Sequence, residues 1–167
     1  MTAVIRQAQA ADLPALTRVF HAAWHTAYDD VVPPEVLAGM TEAAVTELLA
    51  TAAAETELRT DVALDAAGEV IGFTRFGADP IRPGPANGHI AALYVHPAAG
   101  SSGVGRALLE HALQAMHDAG RDDVTLWVFA GNGRARRLYE SAGFRPDGTE
   151  FTDPRWSVPQ LRYRRAG

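Results

Sequence analysis

The segment with the clearest chemical potential is a turn rich in glycine and serine that joins a predicted strand to a predicted helix. It extends from Val95 to Arg106 and contains Gly100, Ser101, Ser102, Gly103 and Gly105. Glycine lets the backbone approach a ligand closely, and the free N–H groups at the start of a helix attract anions. The turn therefore predicts a phosphate-binding site, although a tight connection that binds nothing would use the same glycines.

Two common phosphate-binding motifs are excluded by the residues that follow the turn. A Walker loop requires Gly-Lys-Ser or Gly-Lys-Thr, which is not present. The dinucleotide-binding fingerprint fails because Leu108 occupies the position of its third glycine. The turn is therefore expected to bind a phosphate ligand of another kind.

Two segments in order along the chain resemble the cofactor motifs of the GNAT acetyltransferases. The first is Leu93-Tyr94-Val95-His96-Pro97 with the glycine turn and Arg106-Ala107-Leu108-Leu109. The second extends from Leu126-Trp127-Val128 through Asn132 and Arg134-Ala135-Arg136-Arg137 to Phe144. The resemblance implies that acetyl-CoA is the cosubstrate and that its pyrophosphate lies on the amides of the turn. No metal is expected, because His21 and His25 lack the flanking glutamate of a zinc-binding helix.

The resemblance also supplies a set of expected cofactor contacts, with one departure from the family pattern. Family members usually carry Gln or Arg where Gly100 stands and glycine where Ser101 stands, which predicts a reshaped pyrophosphate contact. Asn132 is equally compatible with a helix cap. The expected contacts are Leu93, Tyr94, Val95, Gly100, Ser101, Ser102, Gly103, Val104, Gly105, Arg106, Asn132 and Arg136.

The fold implied by the resemblance is a GNAT-like α/β domain over residues 1–167. It has a mixed, twisted β-sheet with helices on both faces. The sheet is expected to splay open between the strand that ends at Val95 and the strand near Trp127, with the pantetheine arm of the cofactor in the gap. Backbone N–H groups freed by the splay would stabilise negative charge that develops on the thioester oxygen.

Two residues are candidates for the proton transfers that the resemblance implies. Tyr139 matches the general acid of the family, and a phenol with an ordinary pKa near ~10 can protonate a thiolate while staying protonated at neutral pH. Packing beside Ala135 and Leu138 is the alternative role. His89 aligns with the position where the family often has a glutamate base, and histidine titrates near neutral pH. A water-facing histidine at the end of a loop, with an ordered water as the base, is the alternative there.

The acceptor site is expected near aromatic and acidic residues that precede Pro33-Pro34. Trp24, Tyr28 and Asp29 match the helix and loop that line this site in relatives. Core packing explains Trp24 equally well, and a solvated turn explains Asp29. Trp156 would close the pocket or pack against a partner subunit.

The elements that must position these residues follow from hydrophobic periodicity. Helical spacing predicts helices over 13–27, 103–119 and 134–142, and one or two helical pieces over 36–54 that Gly39 would divide. Alternation predicts strands over 4–7, 58–64, 69–76, 89–95, 124–129 and 160–165. Prolines and glycines make 77–88 a loop. The strands over 58–64 and 69–76 are separated by a short turn and form a predicted hairpin, which requires antiparallel pairing. The later alternation of strands and helices favours parallel neighbours, so the predicted sheet is mixed.

Composition excludes several other classes of protein. The chain has 167 residues and no cysteine, which excludes disulfides, thiolate metal sites and a cysteine nucleophile. Its net charge of −5 argues against nucleic acid as a partner. No apolar run approaches the length of a membrane span, so we expect a cytoplasmic protein that neither crosses nor binds a membrane.

The sequence therefore predicts an N-acetyltransferase. We expect direct transfer of the acetyl group from acetyl-CoA to a primary amine of a small molecule or peptide N-terminus in a ternary complex, and the resemblance is compatible with a homodimer. The rival hypothesis is a non-catalytic acyl-CoA sensor with the same fold, which Gly100 and the missing glutamate favour. A third is a structural domain whose turn binds nothing.

Overall fold

The strands and helices of the computed structural model, which describes residues 2–167, follow the predicted alternation. The strands are β1 (Val4–Gln7), β2 (Leu58–Leu64), β3 (Val70–Ala78), β4 (Asn87–Val95), β5 (Asp123–Phe129), β6 (Arg145–Thr152) and β7 (Pro159–Arg165). The helices are α1 (Leu13–Ala27), α2 (Pro34–Gly39), α3 (Glu42–Ala53), α4 (Val104–Asp118) and α5 (Gly133–Ser141). Short 3₁₀ turns precede α1 and follow β4.

The strands form a mixed sheet in the order β1-β2-β3-β4-β5-β7-β6. Strands β1 to β4 pair as an antiparallel meander, β4 and β5 pair in parallel, and β7 pairs antiparallel with both β5 and β6. The parallel pair is joined through α4, because two parallel neighbours need a long crossover. The predicted α/β class with a mixed sheet is confirmed.

Each face of the sheet has its own hydrophobic core. On one face, α1 and α3 bury Val19 and Val45 against Val62 and Phe73 of the meander. On the other, α4 and α5 bury Leu109 and Tyr139 with residues of β5 and β7. Helices therefore cover both faces, as the sequence predicts.

The sheet opens between its two central strands. Strand β4 pairs with β5 only from Asn87 to Ile90, whereas the rest of β5, from Trp127 to Phe129, pairs with β7 alone. The pairing of β4 with β3 shifts by one residue at the same level, which leaves Ala91 without a partner on β3. A bulge of this kind bends a strand and increases its twist. The predicted splay is therefore confirmed.

Strand β6 is an element that the sequence patterns do not predict. It lies at the edge of the sheet, pairs only with β7, and is exposed along nearly all of its length. It contains Pro146, and Gly148 has a φ of +87°. An edge strand that buries neither face needs no alternation of apolar residues, and an edge tolerates proline. The usual signal for a strand is for that reason absent.

No helix among residues 2–167 combines the length and apolar character that a bilayer span requires.

Candidate functional site

The gap between β4 and β5 opens into a groove of about 1440 Å³ on the face that carries α1 and α3. Residues of both central strands line it, together with residues of α1, α3, α5 and the segment before β7. The groove brings together seven of the residues predicted to form the site: Trp24, Tyr28, His89, Leu93, Tyr94, Asn132 and Tyr139.

The glycine turn presents a row of free backbone donors at the start of α4. The first backbone hydrogen bond of the helix runs from the N–H of Ala107 to the carbonyl of Gly103, so the amides from Gly103 to Arg106 have no such acceptor. Gly103 has a φ of +83°, and a Cβ atom there would meet nothing within 4 Å. A left-handed residue followed by free helical amides makes a concave anion site. The turn thus fits the pyrophosphate expected for acetyl-CoA.

An arginine from α5 occupies the position beside Gly100. The guanidinium of Arg134 donates a hydrogen bond to the carbonyl of Gly100. A Cβ atom on Gly100 would lie 3.1 Å from a guanidinium nitrogen of Arg134. Glycine therefore leaves room for a cation that reaches the turn from another helix, in place of the Gln or Arg usual at this position. The sequence analysis assigned no role to Arg134.

The second cofactor segment places its predicted contacts differently. The Nε atom of Arg136 donates to the hydroxyl of Tyr163 at 2.9 Å, and its Nη1 donates to the carbonyl of Ala130 at 2.9 Å. These hydrogen bonds connect α5 to β7, so the Arg136 side chain does not extend to the glycine turn. Asn132 accepts the N–H of Ala135 at 3.2 Å and lines the groove, so it is a helix cap at the edge of the site.

The three predicted contacts at the end of β4 point in two directions. A Cβ atom on Gly105 would approach Val95 at 3.7 Å and Leu93 at 4.0 Å, so both side chains face α4. Tyr94 faces α1 instead, where its ring lies 4.6 Å from that of Phe20. The Nε1 atom of Trp24 donates to the Tyr94 hydroxyl at 3.3 Å. The Tyr94 side chain thus lines the groove on the side of α1, and the backbone of β4 beyond Ile90 is the edge that stays unpaired along the gap.

Tyr139 projects from α5 into the gap. Its side chain is 8% exposed, packs against Phe144 and lines the groove. Burial raises the pKa of Tyr139 well above the ordinary value of a phenol, and the nearby Tyr94 adds to this effect. Tyr139 therefore keeps its proton at neutral pH.

His89 lies on the opposite strand and is buried. It is 7% exposed and lines the groove, and its Nδ1 atom lies 3.0 Å from the hydroxyl of Thr125 on β5. It is therefore not a loop residue that faces water. Burial lowers the pKa of His89, Asp79 opposes this, and Arg82 adds to the lowering. The imidazole is consequently neutral at pH 7.

Aromatic side chains form the wall of the groove nearest α1. The ring of Trp24 lies 4.9 Å from that of Trp156, and the ring of Tyr28 lies 4.9 Å from that of Phe129. Trp24 of α1 and Tyr28, which follows the helix, are both buried, so they contribute to the core as well as to the groove. Trp156 packs on this wall. Asp29 does not line the groove, because α1 ends at Ala27 and the following turn places its carboxylate in solvent.

Two buried polar residues at or near the groove had no signal in the sequence. Arg75 is 9% exposed and donates to the carbonyl of Ala52 at 2.5 Å and to Glu55 at 3.1 Å, which joins β3 to α3. Thr125 alternates with apolar residues in β5, as any strand threonine would. In residues 2–167, no three His, Asp or Glu side chains are grouped so as to hold a metal ion.

Comparison with known proteins places this geometry in a family. The family described as Acetyltransferase (GNAT) family matches residues 16–144. The PaiA N-acetyltransferase from Thermoplasma acidophilum, solved in complex with coenzyme A, superposes with a TM-score of 0.78 over 100% of both chains at 19% identity. A GCN5-related N-acetyltransferase from Kribbella flavida superposes with a TM-score of 0.73 at 25% identity, over 99% of this chain and 98% of that one.

Curated relatives match a shorter part of the chain. The mycothiol acetyltransferase of Beutenbergia cavernae is 47% identical over 64 residues, which is 38% of this chain and 22% of that protein. The mycothiol acetyltransferase of Propionibacterium freudenreichii is 38% identical over 85 residues, which is 50% of this chain and 26% of that protein. The chain thus spans about a quarter of the length of these relatives. Since the family match covers well over half of the chain, the protein belongs to the GNAT acetyltransferase family.

Proposed function

We propose that this protein transfers the acetyl group of acetyl-CoA directly to a primary amine of a small molecule or a peptide N-terminus, within a ternary complex. The observation that carries the proposal is the splay of the sheet. It opens one groove that holds a protonated phenol, Tyr139, and a neutral imidazole, His89. A direct transfer needs one donor and one acceptor of protons on either side of the reacting carbonyl.

On the cofactor side, the chain supplies donors to the phosphates. Acetyl-CoA contributes an activated acetyl thioester when it is bound. The amides from Gly103 to Arg106 bind the pyrophosphate, and Arg134 supplies the cation that Gly100 does not. Ser101 and Ser102 border the same concave surface, with Ser102 Oγ donating to the carbonyl of Ala99 at 2.6 Å. The backbone of Leu93 to Val95 follows the gap from the turn towards the centre of the groove.

At the reacting centre, the two buried groups hold and move protons. Tyr139 is the proton donor to the departing sulfur, and its raised pKa ensures that it carries the proton when the reaction begins. His89 accepts a proton from the amine, because its lowered pKa keeps it neutral.

For the acceptor, the groove favours a molecule with an apolar part. Trp24, Tyr28 and Trp156 form the wall beside the reacting centre, and aromatic walls bind apolar and cationic groups. The curated relatives are acetyltransferases of mycothiol, which supports a small-molecule amine.

The proposal is tested by release of CoA thiol from acetyl-CoA in the presence of a panel of amines. The panel should include amino sugars, aminoacyl conjugates, polyamines and short peptides. We expect thiol release that depends on one class of amine and on enzyme concentration. Binding of acetyl-CoA by calorimetry, without release for any amine, would support the non-catalytic sensor instead. Absence of acetyl-CoA binding would contradict both functions.

A further inference from the structure

Three polar side chains from separate segments form a buried chain of hydrogen bonds at the closed end of the splay. His89 comes from β4, Thr125 from β5, and Asp79 from the loop between β3 and β4. They are 7%, 1% and 5% exposed, respectively. His89 Nδ1 lies 3.0 Å from Thr125 Oγ1, and Thr125 Oγ1 donates to Asp79 Oδ2 at 2.8 Å. The register places Thr125 directly opposite His89, where the two central strands are still paired.

The donors around Asp79 determine which partner donates in each of these hydrogen bonds. Its Oδ1 accepts the backbone N–H groups of Ile81 and Arg82 at 2.9 and 3.0 Å, and its Oδ2 accepts the Nε of Arg82 at 3.0 Å. Burial on its own would raise the pKa of Asp79, but these donors and Thr125 hold that pKa below its usual value. Asp79 is therefore a carboxylate, which only accepts hydrogen bonds.

The hydroxyl of Thr125 has one proton, and Asp79 takes it. The bond between Thr125 and His89 must then be donated by the imidazole, from Nδ1–H. Neutral histidine carries a proton on only one ring nitrogen, so its Nε2 has a free lone pair. Within residues 2–167, no buried side-chain nitrogen or oxygen lacks a partner. Nε2 has no hydrogen-bond partner among these residues, so it cannot be a buried atom and must be accessible from the groove that His89 lines.

The charges that face the imidazole come from the same small region. Asp79 and Arg82 lie on the loop, and Arg82 also pairs with Asp123 at the start of β5 at 3.1 Å. Asp123 is in turn bound by Arg164 of β7 at 2.5 Å. On β3, Arg75 is engaged by α3. Asp79 is thus the carboxylate linked to the ring, and Arg82 balances its charge.

We infer that Thr125 and Asp79 are positioning residues for the acetyl transfer, because they hold His89 in the Nδ1–H form and aim the Nε2 lone pair at the acceptor amine. In this step the N–H bond of the amine breaks and the Nε2–H bond forms. The resulting imidazolium keeps its Nδ1–H on Thr125, opposite the Asp79 carboxylate, and later releases the proton to water. The inference rests on the proposed function, but the tautomer itself is measurable without turnover.

The tautomer is tested by long-range ¹H–¹⁵N correlation of the histidine rings in the ligand-free protein. The chain has six histidines, and His89→Gln assigns the relevant signals by their loss. We expect a protonated Nδ1 and an unprotonated Nε2 for His89 in the wild type and in Thr125→Ser, which keeps the hydroxyl. In Asp79→Asn the side-chain amide can donate a hydrogen bond to the Thr125 hydroxyl. That hydroxyl can then donate its own proton to Nδ1 of His89, so we expect the ring to be protonated on Nε2 in this variant. A wild-type ring protonated on Nε2 overturns the inference.

The catalytic consequence is tested by kinetics of the same variants with one acceptor. Asp79→Asn and Thr125→Val should lower kcat by about tenfold, less than the ~10²-fold loss for removal of the base itself, and Thr125→Ser should restore it. The affinity for acetyl-CoA should not change. Thr74→Val is the matched control, since Thr74 is also a buried strand threonine but donates to the carbonyl of Ala92, and it should leave the tautomer unchanged.

The pH profile distinguishes positioning from a structural role. The acidic limb of kcat/KM should lie below 6.5 in the wild type, because the pKa of His89 is lowered. Loss of the Asp79 charge should move the limb to lower pH, and Arg82→Gln should move it to higher pH without changing the tautomer. If Asp79→Asn reverses the tautomer yet keeps the wild-type kcat and limb, the positioning role is wrong. Absence of turnover in the wild type would instead count against the proposed function. The ¹H–¹⁵N signals of the His89 ring would still show whether the inferred tautomer is correct.

Discussion

At the scale of single residues, one physical effect sets the protonation of both groups proposed to transfer protons in the groove. Burial penalises the charged form of any side chain, so it raises the pKa of a phenol and lowers that of an imidazole. Tyr139 and His89 are both nearly buried, and their pKa values move in these opposite directions. The same environment therefore keeps the acid protonated and the base unprotonated at neutral pH.

We expect Tyr139→Phe to lower kcat by roughly a hundredfold, because it removes a general acid. The ring and its contact with Phe144 remain, so the affinity for acetyl-CoA should stay close to that of the wild type. Tyr163→Phe is the control, since it also removes a buried hydroxyl, but one that binds Arg136 and Glu140 outside the groove. This variant should lower the melting temperature and leave kcat close to that of the wild type. A fully active Tyr139→Phe enzyme would show that Tyr139 only packs.

We expect Arg134→Ala to weaken acetyl-CoA binding by about tenfold, which corresponds to about 1.4 kcal/mol. The reason is that Arg134 brings a cation to Gly100, beside the free amides of the turn. Arg137→Ala, which removes another exposed arginine of the same helix, is the control and should have a much smaller effect. The measurement is calorimetric titration at two salt concentrations. Equal losses in the two variants would mean that Arg134 acts only through the general charge of α5.

At the scale of elements, the start of α4 and the parting of β4 from β5 act together. The turn offers free amides only because α4 begins at Val104, directly after a left-handed glycine. The bulge at Ala91 lies where β5 leaves β4. The chain between these two points, the end of β4, therefore has an unpaired edge along the gap and an anion site at its terminus.

We expect Gly103→Val to weaken acetyl-CoA binding by more than about tenfold, because a branched side chain would cover the amides that receive the phosphates. The φ of +83° also strains any side chain at this position, at a cost of about 1–2 kcal/mol. Gly68→Val is the matched control, since Gly68 has the same φ of +83° and equally open surroundings in the turn between β2 and β3.

Both glycine variants should lose similar thermal stability, and only Gly103→Val should lose affinity. Calorimetry with acetyl-CoA and melting curves without ligand measure the two effects separately. If affinity falls equally in both variants, or in neither, the turn does not hold the pyrophosphate.

At the scale of the whole molecule, a carboxylate joins three segments that are distant in sequence. Asp123 of β5 accepts hydrogen bonds from Arg164 of β7 and from Arg82 of the loop before β4. These bonds lower the pKa of Asp123 to about 2, with the bond from Arg164 as the largest cause. The network fixes the closed end of the splay, where the chain from His89 to Asp79 also lies.

We expect Asp123→Asn to lower the melting temperature at pH 7. A carboxyl whose pKa falls from 3.8 to about 2 on folding contributes stability above the higher value and loses it as pH decreases towards the lower one. The difference from the wild type should therefore shrink between pH 4 and about pH 2. Asp30→Asn, in an exposed turn, is the control and should change little. A difference that is independent of pH would contradict the role of the ion pairs.

The sequence by itself determined the glycine-rich turn at the start of a helix, the order of strands and helices, and the family resemblance. These are local properties, because glycine at a helix start and hydrophobic periodicity are set by neighbouring residues. Tyr139 and His89 were named from the resemblance. Strand β6 was missed, because an exposed edge has no apolar alternation to detect.

Only the tertiary structure decided which polar side chains meet. Asp79 follows a strand and precedes a proline, which is typical of a solvated turn, yet the packing of β3 against β4 buries it within reach of Thr125. Arg134 and Arg136 are two residues apart on one helix and were not distinguishable by spacing, but helical rotation sends one to the turn and the other to β7. Such contacts join residues 27 to 46 positions apart, and their geometry depends on the register of strands and the rotation of helices, which a linear pattern does not encode.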